Sequence, residues 1–204
     1  MIDITITEEQ RDCLQELINV AMGRASDKLA RYLKTFVHLQ VPHIELVSSS
    51  ELPTTFAETY GDDNVTLLSQ GFYGQDGITG ETLLLYRADH TQNIAQILGY
   101  EPGEVSEMEQ LTDISSILTT TFLNGLAEQI DNQIAYSAPR VVSSQEVSIE
   151  RHLQDLSFNW ELALKVAISY QVTDYEFNCD MVLLIPGEAI ENIQHVLDSI
   201  LEAY

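Results

Sequence analysis

Residues 7–30 read TEEQRDCLQELINVAMGRASDKLA. Thr7 and Gln10 have the spacing of a capping box, a hydroxyl at N-cap and Gln at N3, which starts a helix. Leu14, Leu17, Ile18, Ala21, Ala25 and Leu29 then recur at helical spacing. An α-helix turns about 100° per residue. With Leu14 at zero, Ile18, Ala21, Ala25, Leu29 and Phe36 fall within roughly 60° of it, which makes that side the core face. Glu16, Asn19, Gly23 and Ala30 fall at roughly 200°, 140°, 180° and 160°. They form a narrow stripe that is expected to face away from the core.

Glu16 and Asn19 are three apart and therefore adjacent on the helix surface. Gly23 follows one turn later. A glycine inside a helix costs up to about 1 kcal/mol relative to alanine, and no core packing on the outward face demands smallness. Either a bulky group of a partner approaches the backbone there, or another helix of the same chain crosses it. The pair itself also reads as two ordinary surface residues. Helical geometry alone does not choose among these.

Residues 106–129 read SEMEQLTDISSILTTTFLNGLAEQ. Ser106 and Glu109 form a second capping-box pattern, followed by Leu111, Ile114, Leu118, Phe122 and Leu126 at helical spacing. A displacement of 97 residues pairs Leu14 with Leu111, Glu16 with Asp113, Leu29 with Leu126, and Pro42 with Pro139. A displacement of 99 pairs Glu81–Tyr86 with Asp180–Ile185, Asn93-Ile94 with Asn192-Ile193, and Leu98 with Leu197. We read an internal duplication, with halves at about 1–100 and 101–204 joined at Gly99–Gly103. The expected class is α+β. Each half is an α-β-β-β-α unit, related to the other by a pseudo-two-fold axis, with the long helices packed on antiparallel sheet. Strands are expected near 42–48, 64–73, 81–87, 139–149, 159–173 and 176–185, with shorter helices near 90–99 and 187–203. Segment 71–80, GFYGQDGITG, reads as a hairpin turn. It is no phosphate loop, because no Gly-Lys-Ser/Thr follows. Residues 50–63 read as an exposed loop.

Nine Lys plus Arg face 32 Asp plus Glu in 204 residues, a formal net charge of −23. Such a surface repels phosphate backbones and anionic lipid, so nucleic acid and membrane are poor partners. No apolar run approaches the roughly 18–20 residues that span a bilayer, and the start lacks the pattern of a signal peptide. A cytoplasmic protein is expected. Cys13 and Cys179 are expected to be buried free thiols. His38, His43, His90, His152 and His195 lack metal-ligand spacing, and no Gly-x-Ser-x-Gly elbow occurs. Asp62-Asp63 and Asp174-Tyr-Glu176 read as solvated turns, and Trp160 as packing.

The segment Glu16-Leu-Ile-Asn19-Val-Ala-Met-Gly23-Arg-Ala25 resembles the signature helix of the CheC, CheX and FliY chemotaxis phosphatases. That helix carries Glu, two residues, Asn, and a nearby Gly-x-Ala. The resemblance extends over nearly the whole chain. Gly71–Tyr100 looks like the family's strand pair and short helix, and Asp113–Pro139 like its second signature helix. It implies a single CheC-like domain that dephosphorylates the aspartyl phosphate of a CheY-type response regulator. By that resemblance Asn19 holds the attacking water and Glu16 pairs with a lysine of the regulator. Gly23 lies on the surface the partner approaches. The chain needs no cofactor of its own, since Mg2+ comes with the regulator. The second helix departs from the pattern, with Asp113, Ser116 and Thr120 in place of Glu, Asn and Gly. Asp is shorter by one methylene and Ser lacks the amide reach, so this second site is expected to be degenerate. The alternative is a non-catalytic CheC-like module that docks a receiver domain or a flagellar switch component. A duplicated chain already contains a two-fold arrangement, which is compatible with a monomer.

Overall fold

Both capping boxes form, and each starts a long helix. The computed structural model describes residues 6–40, 43–48, 50–60, 65–87, 93–143, 162–175 and 177–203. Helix α1 spans Glu8–Leu33 and is followed by strands β1 (Val37–Leu39) and β2 (His43–Ser48). Helix α2 (Leu52–Tyr60) leads to the hairpin β3 (Val65–Gly74) and β4 (Thr79–Arg87), and α3 (Ile94–Leu98) closes the first half. The second half runs α4 (Glu107–Gln129), β5 (Ile134–Tyr136), β6 (Arg140–Ser143), β7 (Leu162–Val172), β8 (Phe177–Pro186) and α5 (Gly187–Glu202).

The eight strands make one sheet in the order β1-β7-β8-β4-β3-β5, with β2 also on β7 and β6 also on β3. All these pairs are antiparallel. Each half contributes its own hairpin, β3–β4 or β7–β8, and the hairpins join through β4 and β8. The short strands cross over: β1 and β2 of the first half pair with β7, while β5 and β6 of the second pair with β3. The registers correspond. Phe72 pairs with Tyr136, and moving these by +98 and −97 gives Tyr170 and Leu39, which also pair. Ser69 with Arg140 likewise maps onto Ala167 with His43.

Alternation along the strands gives the sheet two buried faces. Leu68, Phe72, Leu84, Tyr86, Ile168 and Leu183 pack with the buried sides of α1, α4 and α5. On the other face Leu52 and Phe56 of α2 pack with Val47, Leu67, Leu83 and Leu184.

Four of the sequence readings need correction. Residues 50–63 were expected to be a loop, but 52–60 form a helix that buries Leu52 and Phe56 four residues apart. Each half holds four strands rather than three, because β1 and β5 are three residues long and leave no readable alternation. Phe36 is not on the core face and is 84% exposed. Helix α1 stops at Leu33, where Lys34 takes the left-handed conformation (φ 54°), so the angular count does not extend to Phe36. Cys13 and Cys179 are free as expected, but only Cys179 is buried. His90, His152, Trp160, Asp62, Asp63 and Glu176 lie outside the described residues.

Candidate functional site

Helix α1 is anchored at both ends. Thr7 Oγ1 accepts the Gln10 backbone N–H at 3.1 Å, and Gln10 Oε1 accepts that of Thr7 at 3.1 Å. The Gln10 amide also donates to Asp198 on α5 at 2.7 Å, which ties the start of the helix to the other half. Glu8 and Glu9 in the first turn suit the positive end of the helix dipole. Further along, Ser26 donates to the Val37 carbonyl of β1 at 2.5 Å. Leu14, Ile18, Ala21, Ala25 and Leu29 are buried, so the apolar stripe faces the sheet as the spacing predicts.

Glu16, Asn19 and Gly23 are exposed on the opposite side. Neither the Glu16 nor the Asn19 side chain makes a hydrogen bond or ion pair among the described residues. No atom beyond its own helix backbone lies within 4 Å of a Cβ built on Gly23, so no other described helix crosses there. The flanks of this open arc are occupied. Ser26, at roughly 120° on the same angular count, meets β1. Arg24 and Lys28, at roughly 280° and 320°, reach Glu128 of α4 at 3.4 and 3.0 Å. The Lys28 bond is the main reason that the Glu128 carboxyl lies below the usual carboxylate range. These two cations are engaged with α4. The exposed residues Glu8, Glu9, Asp12 and Glu16 leave the approach to Asn19 predominantly acidic, which favours a cationic side chain from outside.

The second position is built differently. Asp113 is half-buried, and the Tyr100 hydroxyl donates to its Oδ2 at 2.5 Å. That bond, more than burial, pushes the Tyr100 phenol up to about 12. Ser116 is half-buried, and Thr120 turns its hydroxyl back to the Ser116 carbonyl at 2.7 Å. The sequence reading did not single out Tyr100 for this role. Its position within the Gly99–Gly103 joint marks it only as part of a turn.

A cavity of about 720 Å3 opens beside Leu17, among Gln129, Ile130, Asp131, His195 and Ser199. Glu16 and Asn19 do not line it. Among the described residues no cluster of three or more His, Cys, Asp or Glu side chains is arranged to hold a metal ion. No helix among them is long and apolar enough to cross a membrane.

No family model matches the chain. The CheY-P phosphatase CheC of Bacillus subtilis is 24% identical over 201 residues, covering 92% of this chain and 93% of that protein. FliY of Thermotoga maritima has the same fold, with a TM-score of 0.66 at 16% identity, over 96% of this chain and 99% of that one. Likeness in sequence and in fold together support membership of the CheC/CheX/FliY family. The fold extends beyond it to the FliM middle domain of H. pylori, with a TM-score of 0.59 at 14% identity, over 94% of this chain and 99% of that one. In this CheC-like fold, α1 presents its Glu-x-x-Asn pair in the open, and α4 presents its Asp-x-x-Ser pair half-buried.

Proposed function

We propose that the chain is a phosphatase acting on the aspartyl phosphate of a CheY-type response regulator, with Glu16 and Asn19 as its working pair. The observation that carries this reading is the exposure of both side chains, neither engaged in a hydrogen bond or ion pair among the described residues, about one turn from the open backbone of Gly23. The curated relative named as a CheY-P phosphatase supports it.

The chemistry suits such a surface. In the proposed reaction the water oxygen attacks phosphorus, the bond from phosphorus to the aspartyl oxygen breaks, and inorganic phosphate leaves. Phosphoryl transfer depends mainly on positioning and charge neutralisation. The Asn19 amide can accept from and donate to a water, which holds it in line without a strong base. Glu16 is placed to pair with a lysine of the regulator. The regulator brings the Mg2+, and this chain contributes no cofactor. The matching registers of the two halves support an ancestral duplication with pseudo-two-fold symmetry, in which one of two sites has been kept. A cytoplasmic monomer fits this reading.

The likeness to FliM supports a second reading, a non-catalytic module that docks a receiver or a switch component. The two separate in one assay. Phosphate release from a phosphorylated CheY-type receiver is followed with wild type and Asn19→Ala. Catalysis predicts a fall of about 100-fold for the variant. Equal rates for the two proteins would leave only the docking module.

A further inference from the structure

We propose that the receiver-binding surface is one-sided: Tyr100 closes the Asp113–Ser116 face of α4, and the chain engages one phosphorylated receiver at a time through α1. This rests on the phosphatase reading above.

The closure is built from the backbone outward. Gly99 adopts φ 79° and ends α3. The Tyr100 N–H then donates to the Ala95 carbonyl at 2.8 Å, which fixes where the side chain leaves the chain. From there the phenol reaches Asp113 Oδ2 at 2.5 Å. A cationic side chain that sought Asp113 would have to approach past the phenol, to a carboxylate whose Oδ2 already holds a charge-assisted bond, which is among the stronger kinds. Glu16 presents no such obstacle, being exposed and without a partner among the described residues. The same contrast holds one turn on. Gly23 leaves its backbone open, while Thr120 adds a branched side chain whose hydroxyl is committed to the Ser116 carbonyl.

The repeat locates the difference. The displacement of 99 that pairs Leu98 with Leu197 pairs Tyr100 with Ser199. Ser199 lines the open cavity beside Leu17, the neighbour of Glu16. Tyr100, just past the end of α3, carries a phenol bonded to Asp113. Ser199, inside α5, carries only a hydroxymethyl group, which is several ångströms shorter as an order of magnitude. The difference between these paired positions matches an open face on α1 and a closed face on α4.

The test counts receivers on the full chain. A CheY-type receiver is locked in its phosphorylated form with beryllofluoride and Mg2+, and complexes are sized by native mass spectrometry and mapped by hydrogen exchange. Wild type is expected to bind one receiver, with protection over residues 14–24 and none over 111–121. Tyr100→Ser is expected to admit a second, weaker receiver and to add protection over 111–121. Tyr100→Phe removes only the hydroxyl and serves if the serine variant does not fold; it is expected to add the same protection. Two receivers on wild type, protection of α4 in wild type, or no added protection in a folded Tyr100 variant would overturn the closure. Those outcomes leave phosphate release and its dependence on Asn19 untouched. Absence of receiver binding together with a rate indifferent to Asn19→Ala would instead remove the phosphatase reading, and this proposal with it.

Discussion

A Cβ built on Gly125 of α4 would sit 3.1 Å from the backbone carbonyl oxygen of Ala21 on α1. The two helices meet at that point with no side chain between them. The contact sets the height of α1, and with it the orientation of its outward stripe. Gly125→Val is therefore expected to destabilise the fold by about 1–3 kcal/mol through overpacking. Thermal melting should fall by about 2–4 °C for each kcal/mol in a chain of this size. An unchanged melting temperature would mean that the helices separate without cost.

Gly23 gives the opposite expectation for stability. A Cβ there meets nothing within 4 Å, so Gly23→Ala should gain up to about 1 kcal/mol from helix propensity. The same methyl stands where the partner is proposed to approach, so phosphate release should slow while melting rises. A variant both more stable and equally active would show that the partner keeps its distance from this backbone.

Glu45 and Lys165 face each other across β2 and β7, with Nζ 2.7 Å from Oε1. The hydrogen bond from Lys165 is the largest reason that the Glu45 carboxyl lies below the ordinary range. A depressed folded-state value means that the pair stabilises above the unfolded pKa of about 4.3. That contribution is lost as pH falls through the folded value. In urea unfolding, Glu45→Gln should be less stable than wild type near neutral pH, and the gap should close in acid. A gap independent of pH would remove the charge from the explanation.

Thr7→Ala tests the start of α1. It deletes the acceptor for the Gln10 N–H, at a cost of about 1 kcal/mol. The cap lies about two and a half turns from Glu16 and more than four from Gly23, so phosphate release at a temperature well below melting should be unchanged. Loss of activity in step with stability would show that the whole helix, and not only its cap, depends on this turn.

Much of the site could be read directly. The capping boxes, the buried stripe from Leu14 to Leu29 and the outward set Glu16, Asn19 and Gly23 are local properties of one helix, and helical geometry carries them. The hairpin at 71–80 is equally local, with Asp76 and Gly77 supplying the positive φ values its turn requires. Helix α2 was missed because its polar residues Thr54, Thr55, Glu58 and Thr59 dominate, while Leu52 and Phe56 are the buried ones among its described side chains. Phe36 was misplaced because a left-handed residue at Lys34 ends the periodicity it was counted on. The bond from Tyr100 to Asp113 joins a turn to a helix thirteen residues on, and no spacing rule announces such a contact.

The exchange of short strands between the halves bears on how the protein is made. When the first half leaves the ribosome, β3 has only β4 beside it, and β1 and β2 await a β7 not yet synthesised. The sheet therefore cannot be completed one half at a time, and its formation waits on long-range closure, which is slow. A gene cut at Gly99–Gly103 should yield two fragments that are each incomplete and that recover a full sheet only when mixed.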